Sequence, residues 1–452
     1  MNERSPMATS DTLRSEAIRH LQTLLRVDTT NPPGNETAAA EYIAAACRAE
    51  GIEAEVLESA PGRGNAVARL RAERPTGRPV LLLGHTDVVG VEREQWTRDP
   101  FGGELVVDWL WGRGALDMKS QVAGELAAFV ELKRQGMPLT RDVILAAVAD
   151  EETGGEFGAA WLWQHHRDLI DAEYAINEGG GTATEIGGHR FYLCQAGEKG
   201  ASRLRIVARG EPGHASVPLD DTAMKRLGEA LVRLHAWEPE TTLTAPMRQM
   251  LQTMAGALGG EVGGQIEALL VGDTPTWEQL RRLPLNEAEL AMLRASTRNT
   301  AVPTLLHGGH RINVIPSEVT LDLDGRILPG VDPDEWRDTV QAVVGDDVAV
   351  ELMSRESGIA ADPASPFFDA IGATMAGLDP SALVVPYLLT GGTDAAHLPD
   401  IKVYGYFPFE PTDRIQTYAK LIHGHDERIH VDDLAFGTRF VFDVVRRFCA
   451  VG

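Results

Sequence analysis

The sequence predicts an α/β protein: a mainly parallel sheet with helices on both faces, into which a smaller α+β domain is inserted. Three observations predict it. Short apolar runs of the kind that form strands buried on both faces, Pro79–Gly84, Asp142–Ala149 and Glu173–Asn177, alternate with helix-length amphipathic runs. After Glu178 that rhythm gives way to strands that alternate polar and apolar residues, and it resumes after about Ser357. At 452 residues the chain is also long for one hydrophobic core. The expected boundaries are residues 1–197 for the first segment of the larger domain, 198–356 for the inserted domain and 357–452 for the second segment.

In order, Asp11–Val27 reads as an amphipathic helix with Leu13, Ala17, Ile18, Leu21, Leu24 and Leu25 on one side, ended by the turn Asn31-Pro-Pro-Gly-Asn-Glu36. Thr37–Glu50 is a second helix, closed by Gly51. Ile52–Leu57 and Asn65–Leu70 read as strands leading to Pro79–Gly84, and Gln121–Gln135 as the helix that follows it. In the inserted region, Ala201–Arg209 and Val319–Arg326 have the alternation of strands solvated on one face, with helices expected at Asp221–His235 and Asp334–Val344. Glu238–Thr304, rich in Leu, Glu, Arg and Gly, is expected to elaborate this domain with helices. Pro366–Gly377, Leu383–Leu388, Ile401–Tyr406 and a last helix, Val431–Cys449, restore the βα rhythm.

Bulk properties exclude several classes. A net charge of −24 repels nucleic acid and anionic membrane. Cys47, Cys194 and Cys449 lack CxxC spacing, which argues against a disulfide framework and a thiolate metal site and suits a reducing cytoplasm. No signal-peptide core or membrane-spanning run is seen. The GxSxG elbow of serine hydrolases is missing.

The chemistry gathers at the ends of the buried runs. Pro79–Gly84 leads directly into His85-Thr-Asp87, and in that spacing Asp87 can take the second ring proton of His85 and fix its tautomer. Asp117 lies in the Gly-rich loop Trp111–Ser120, ahead of a helix. The second run ends in Asp150-Glu151-Glu152, the third in Glu178-Gly-Gly-Gly181. In a parallel sheet these ends lie side by side, and so many like charges share a crevice only if a cation offsets them.

These residues form ordered motifs: Gly84-His-Thr-Asp87, Arg113-Gly-Ala-Leu-Asp-Met-Lys119, Asp150-Glu-Glu-Thr-Gly154, Asn177-Glu-Gly-Gly180, Thr390-Gly-Gly-Thr-Asp-Ala395 and His423-Gly-His-Asp-Glu427. In this order they resemble the cocatalytic dizinc aminoacylase/carboxypeptidase family, which includes acetylornithine deacetylase, succinyl-diaminopimelate desuccinylase, carnosinase and glutamate carboxypeptidase. The resemblance runs from about Asn31 to about Glu427, and Ser120 stands where many members have Gly. It implies a dizinc exopeptidase-like fold whose inserted domain is a lid, with the option of homodimerisation through it.

The resemblance implies two zinc ions per subunit, for which cobalt or manganese could substitute. Asp117 would bridge them, His85 and Glu178 would complete one ion, and Glu152 and His423 the other, with His425 as the competing candidate to His423. Glu151, beside the ligand Glu152, would act as general base on water. His214 matches the lid histidine that polarises the substrate carbonyl, and Asn313 and Arg326 match positions that contact the substrate carboxylate. Gly391, Gly392 and Thr393 would supply backbone donors, and the Asp117-Met118 peptide would be cis. The implied activity is hydrolysis of a small peptide by an exopeptidase, with an N-acyl amino acid deacylase as the alternative. A non-catalytic metal-binding module would have no reason to place Glu151 beside five ligand candidates.

Overall fold

The computed structural model describes residues 6–271 and 274–451. The chain divides into two compact units: residues 1–196, 361–386 and 393–452 form the first, and residues 197–360 with 387–392 the second.

In the first unit the sheet runs Glu53–Glu58, Gly64–Leu70, Val143–Val148, Val80–His85, Tyr174–Asn177, Lys402–Gly405 and His189–Glu198. Its four middle strands, from Val143–Val148 to Lys402–Gly405, are parallel. Every residue of Val80–His85, Val143–Val148 and Tyr174–Asn177 is buried, which explains why these strands read as unbroken apolar runs.

The flanks supply the antiparallel part of this mainly parallel sheet. Glu53–Glu58 pairs antiparallel with Gly64–Leu70, which pairs antiparallel with Val143–Val148. The connection Ser59–Arg63 is short enough for a hairpin and too short for a parallel crossover. A second hairpin, Ala183–Ile186 with His189–Glu198, was not anticipated. Its turn is Gly187-Gly188, both at positive φ, a two-residue signal the sequence does carry.

The first helix spans Pro6–Leu25, starting about a turn before the expected Asp11. It packs with Lys119–Gln135 and Val431–Cys449. Lys119–Gln135 is buried from Lys119 to Leu132, so its sides are not divided into a wet and a dry face. Its first residue also closes the first helix: Lys119 Nζ donates to the carbonyls of Leu24 and Val27, at 3.2 and 2.9 Å.

The second unit is built on an antiparallel sheet ordered Gly200–Ala201, Glu318–Ile327, Leu204–Arg209, Ala349–Leu352, with Thr300–Gly308 also paired to Glu318–Ile327. Helices Ala223–Ala236 and Pro333–Val344 cover it, and Trp336, Leu204, Ile206 and Leu323 lie in the shared core. The stretch expected to be helical holds Ala245–Leu258, Gly260–Leu270, Trp277–Leu280 and Glu287–Ser296. It ends instead in the strand Thr300–Gly308, whose register shifts at Pro303, a residue that cannot donate to a ladder and obscures a strand pattern. Among the described residues no helix is long and apolar enough to cross a membrane.

Candidate metal centre and active site

Strand register brings the acid-bearing ends together. His85 is the last residue of its strand and pairs with Val148, so the chain leaves both strands at one level, and the neighbouring strand ends at Asn177, just before Glu178. Asp117 arrives from the loop ahead of Lys119–Gln135, His423 from the loop after helix Arg414–Leu421. The Asp117-Met118 peptide is cis, as the resemblance implied.

His85 Nε2 lies 3.1 Å from Asp117 Oδ1, 3.6 Å from Glu178 Oε1 and 3.9 Å from Glu151 Oε2. His423 Nε2 lies 3.1 Å from Asp117 Oδ2 and 3.3 Å from Glu152 Oε2. Asp117 thus turns one oxygen to each imidazole. His425 is exposed in the same loop, while the oxygens of Asp117 and Glu152 face His423.

Behind His85, Nδ1 donates to the backbone carbonyl of Asp87 at 3.0 Å and has the Asp87 carboxylate at 3.4 Å, so the nearer acceptor is the main chain. Either contact leaves Nε2 facing the acids. The Asp87 carboxylate has further duties: it accepts the backbone N–H groups of Glu151 and Glu152, both at 3.1 Å. It therefore fixes the histidine on one side and the two-acid turn on the other.

Sequence reasoning missed the supports. Glu427 is fully buried and accepts the N–H groups of Gly114, Leu116 and Asp117 at 3.2, 2.7 and 3.2 Å. It also accepts Arg113 Nη1 at 2.5 Å, while Arg113 Nη2 donates to the Gly424 carbonyl at 2.9 Å. One ion pair thus fastens the Asp117 loop to the His423 loop. Both residues sit inside the quoted motifs, which was the available signal. The Thr393 hydroxyl accepts from Asn177 Nδ2 at 3.0 Å, beside Glu178.

The remaining expected site residues belong to the second unit. His214 and Asn313 lie in and beside a two-stranded ladder in which Gly213–His214 pairs with Val314–Ile315, and both are exposed. His214 Nδ1 accepts the Ser216 N–H at 3.2 Å and lies 2.7 Å from its hydroxyl. Arg326, on Glu318–Ile327, points its Nε at the Asp324 carboxylate, 3.2 Å away. A Cβ at Gly391 or Gly392 would meet nothing within 4 Å, so crowding does not demand glycine there.

As protein groups alone, the cluster is electrostatically frustrated. Burial opposes charge on His85, but Glu178, Asp117, Asp87 and Glu151 outweigh it and hold its pKa well above the usual value. Hydrogen bonds to Asp117 and Glu152 push His423 up to about 10. Burial pushes Glu151 up to about 8, opposed by His85 and reinforced by Asp117 and Glu152, and burial with Glu151 raises Glu178.

A metal fits this donor set. His85, Asp117 and Glu152, and likewise His85, Glu151 and Glu178, each offer ligand atoms within 4.8 Å of one another. Donors about 2.0–2.2 Å from a tetrahedral ion stand roughly 3.3–3.6 Å apart, close to the separations just given. Glu152 Oε1 is buried without a hydrogen-bond partner, as befits an atom whose partner is a cation. Imidazole nitrogen and carboxylate oxygen without thiolate is the chemistry of a hydrolytic metal site.

Over residues 81–447 the chain matches the family described as Peptidase family M20/M25/M40. It is 26% identical to aminoacylase-1 of Sus scrofa over 416 residues, 90% of this chain and 88% of that protein. It is 26% identical to a probable carboxypeptidase S-like 2 of Dictyostelium discoideum over 379 residues, 82% of this chain and 71% of that protein. Its fold is similar to an M20 family metallo-carboxypeptidase from Sulfolobus solfataricus, with a TM-score of 0.69 at 18% identity over 95% of this chain and 98% of that one. Human carnosine dipeptidase 1 gives a TM-score of 0.65 at 14% identity over 98% of both chains. The chain belongs to peptidase family M20/M25/M40 and is a metal-dependent hydrolase of amide bonds.

Proposed function

We propose that the protein is a two-zinc exopeptidase acting on small peptides, with Asp117 bridging the ions, His85 and Glu178 holding one, and Glu152 and His423 the other. The observation that carries this reading is Asp117, whose two oxygens each lie 3.1 Å from a different imidazole. When bound, the ions acidify water and polarise the scissile carbonyl. Glu151 lies beside the ligands without being needed as one: it takes the proton from the attacking water and passes it to the leaving amine nitrogen. Asp87 keeps the His85 ring and the Glu151 and Glu152 backbone in place. The second unit serves as the lid, bringing His214 to the substrate carbonyl and Asn313 and Arg326 to its carboxylate. Backbone donors around Gly391, Gly392 and Thr393 complete the mouth.

A homodimer through the lid is the assembly we favour. Thr300–Gly308 would supply the pairing edge, since its Val302, Leu305 and Leu306 are each more than half exposed. Three buried, unpaired cysteines suit a cytoplasmic enzyme. A second reading, an N-acyl amino acid deacylase, is favoured by the 26% identity to aminoacylase-1 over 90% of the chain. Turnover on a panel of dipeptides and N-acyl amino acids with added zinc separates the two.

Glu151→Gln tests the division of labour. It should retain wild-type metal content by elemental analysis and lose at least about 10²-fold in turnover. Lost metal would make Glu151 a ligand, and retained turnover would remove it as the base.

A further inference from the structure

The turn that carries Glu151 and Glu152 begins with a residue in an unfavourable backbone conformation. Asp150 has φ of 76°, left-handed for a residue with a Cβ, and the turn closes with Gly154 and Gly155 at φ of 115° and 72°. A non-glycine residue stays there only when its surroundings over-determine it. Those surroundings are visible. Asp150 Oδ1 accepts from Thr153 Oγ1 at 2.6 Å, Asn31 Nδ2 at 3.0 Å and Arg63 Nη2 at 2.7 Å, and Oδ2 accepts the Phe157 N–H at 3.0 Å. Asn31 Nδ2 also reaches Asp87 Oδ2 at 2.8 Å, joining this network to the carboxylate that receives the Glu151 and Glu152 amides.

Arg63 is the only cation that donates to Asp150 among the described residues, and the chain builds a cradle for it. Arg63 is 7% exposed. Nε lies 2.9 Å from Glu36 Oε2, Nη1 donates to the Pro33 carbonyl at 3.1 Å and to Asn31 Oδ1 at 3.4 Å, and Cζ lies 5.2 Å from the Phe157 ring centre. Gly34 makes the room: it sits at φ of 83°, and a Cβ there would come within 2.5 Å of the guanidinium carbon. Glu36, with no solvent exposure, is the counter-charge on the far side. A buried ion pair is weak evidence for stability, because desolvation offsets most of its Coulomb gain. A planar fork that donates to a carboxylate, a main-chain carbonyl and an amide, beside a second carboxylate, instead specifies geometry.

We propose that Arg63 is a positioning residue for the reaction: through Asp150 and Asn31 it fixes the left-handed turn that aims Glu151 and Glu152, with Glu36 as its counter-charge. This rests on the reading of Glu151 as base and Glu152 as ligand. A turn held from behind lets Asp87 orient both acids without either spending a carboxylate oxygen on its own support.

The test compares the metal-loaded full chain with Arg63→Met and Arg63→Lys, reading kcat, KM and hydrogen–deuterium exchange. In Arg63→Met, kcat should fall about 10–100-fold, the scale of a displaced catalytic group, with KM within about twofold. Exchange across 150–155 should quicken about tenfold or more while Val143–Val148 keeps wild-type protection. Arg63→Lys, which keeps the charge but lacks the planar fork, should fall between, and carries the same readouts if Arg63→Met does not fold. Unchanged kcat or unchanged exchange across 150–155 overturns the proposal. So does equal loss of protection in Val143–Val148, which would make Arg63 a general stabiliser. If Glu151→Gln keeps turnover, the base assignment fails, while the exchange comparison still decides whether Arg63 fixes the turn.

Discussion

Two sets of charges, one in each unit, are placed differently. Around the ends of the parallel strands, His85, Asp87, Glu427 and Lys119 are all fully buried. Burial even pushes Lys119 down to about 8, against the pull of Asp28 and Asp87. On the antiparallel sheet of the second unit, Arg209 faces Glu318 directly across strands, and the two side chains are 65% and 48% exposed. The first arrangement costs desolvation and is tolerated because every group is held by several partners. The second costs little and directs nothing. Where a protein accepts desolvated charge, the partner geometry says what that charge is for.

The strongest break in this contrast would come from Glu427→Ala, which leaves Arg113 buried and unpaired and frees three backbone N–H groups. We expect a loss of about 3–5 kcal/mol in denaturant unfolding. A loss near that of a surface pair would show the burial to be incidental.

Next in size is His214→Ala in the second unit. If this exposed histidine meets the substrate carbonyl, kcat should drop about 10²-fold, as for one lost oxyanion donor, with metal content unchanged. Normal kcat would reduce the second unit's role to substrate fit.

A smaller effect concerns protons. The carboxylates Asp117 and Glu152 hold His423 up to about 10, yet a histidine ligand must be neutral. Because the surrounding acids hold His85 up as well, stripping metal with a chelator at pH 8 should take up more than one proton, read as an alkaline shift in weakly buffered solution. No uptake would remove His423 from the ligand set. In the stripped protein the same shift stabilises the fold fully below the ordinary value of 6.5, and that contribution is lost as pH climbs through about 10.

The smallest is Arg209→Ala, which should change stability by less than about 1 kcal/mol and diminish further in salt. A larger loss would mean that this pair is not the passive contact described above.

Much of this was legible in the sequence, for a physical reason. Buried parallel strands leave apolar runs, and the polar residues at their ends stand out, so His85, the Asp150–Glu152 acids and Glu178 announce themselves. The mainly parallel sheet follows from the same runs. The supports left no such trace. Arg63 with Asp150 and Arg113 with Glu427 join positions 87 and 314 residues apart, and nothing local distinguishes such an arginine from a solvated one. The Gly187-Gly188 hairpin carries a local turn signal, but Ala183–Ile186 and His189–Glu198 break the βα rhythm of the surrounding chain.

The Arg113–Glu427 pair has a consequence for synthesis. The Asp117 loop leaves the ribosome 310 residues before the carboxylate that holds its backbone. At about 5–20 residues per second, roughly 15–60 s pass before Glu427 can reach it. During that interval the nascent chain carries the acids of a hydrolase without the clasp that shapes them, so assembly of the cutting site is deferred until the segment that carries Glu427 has been made.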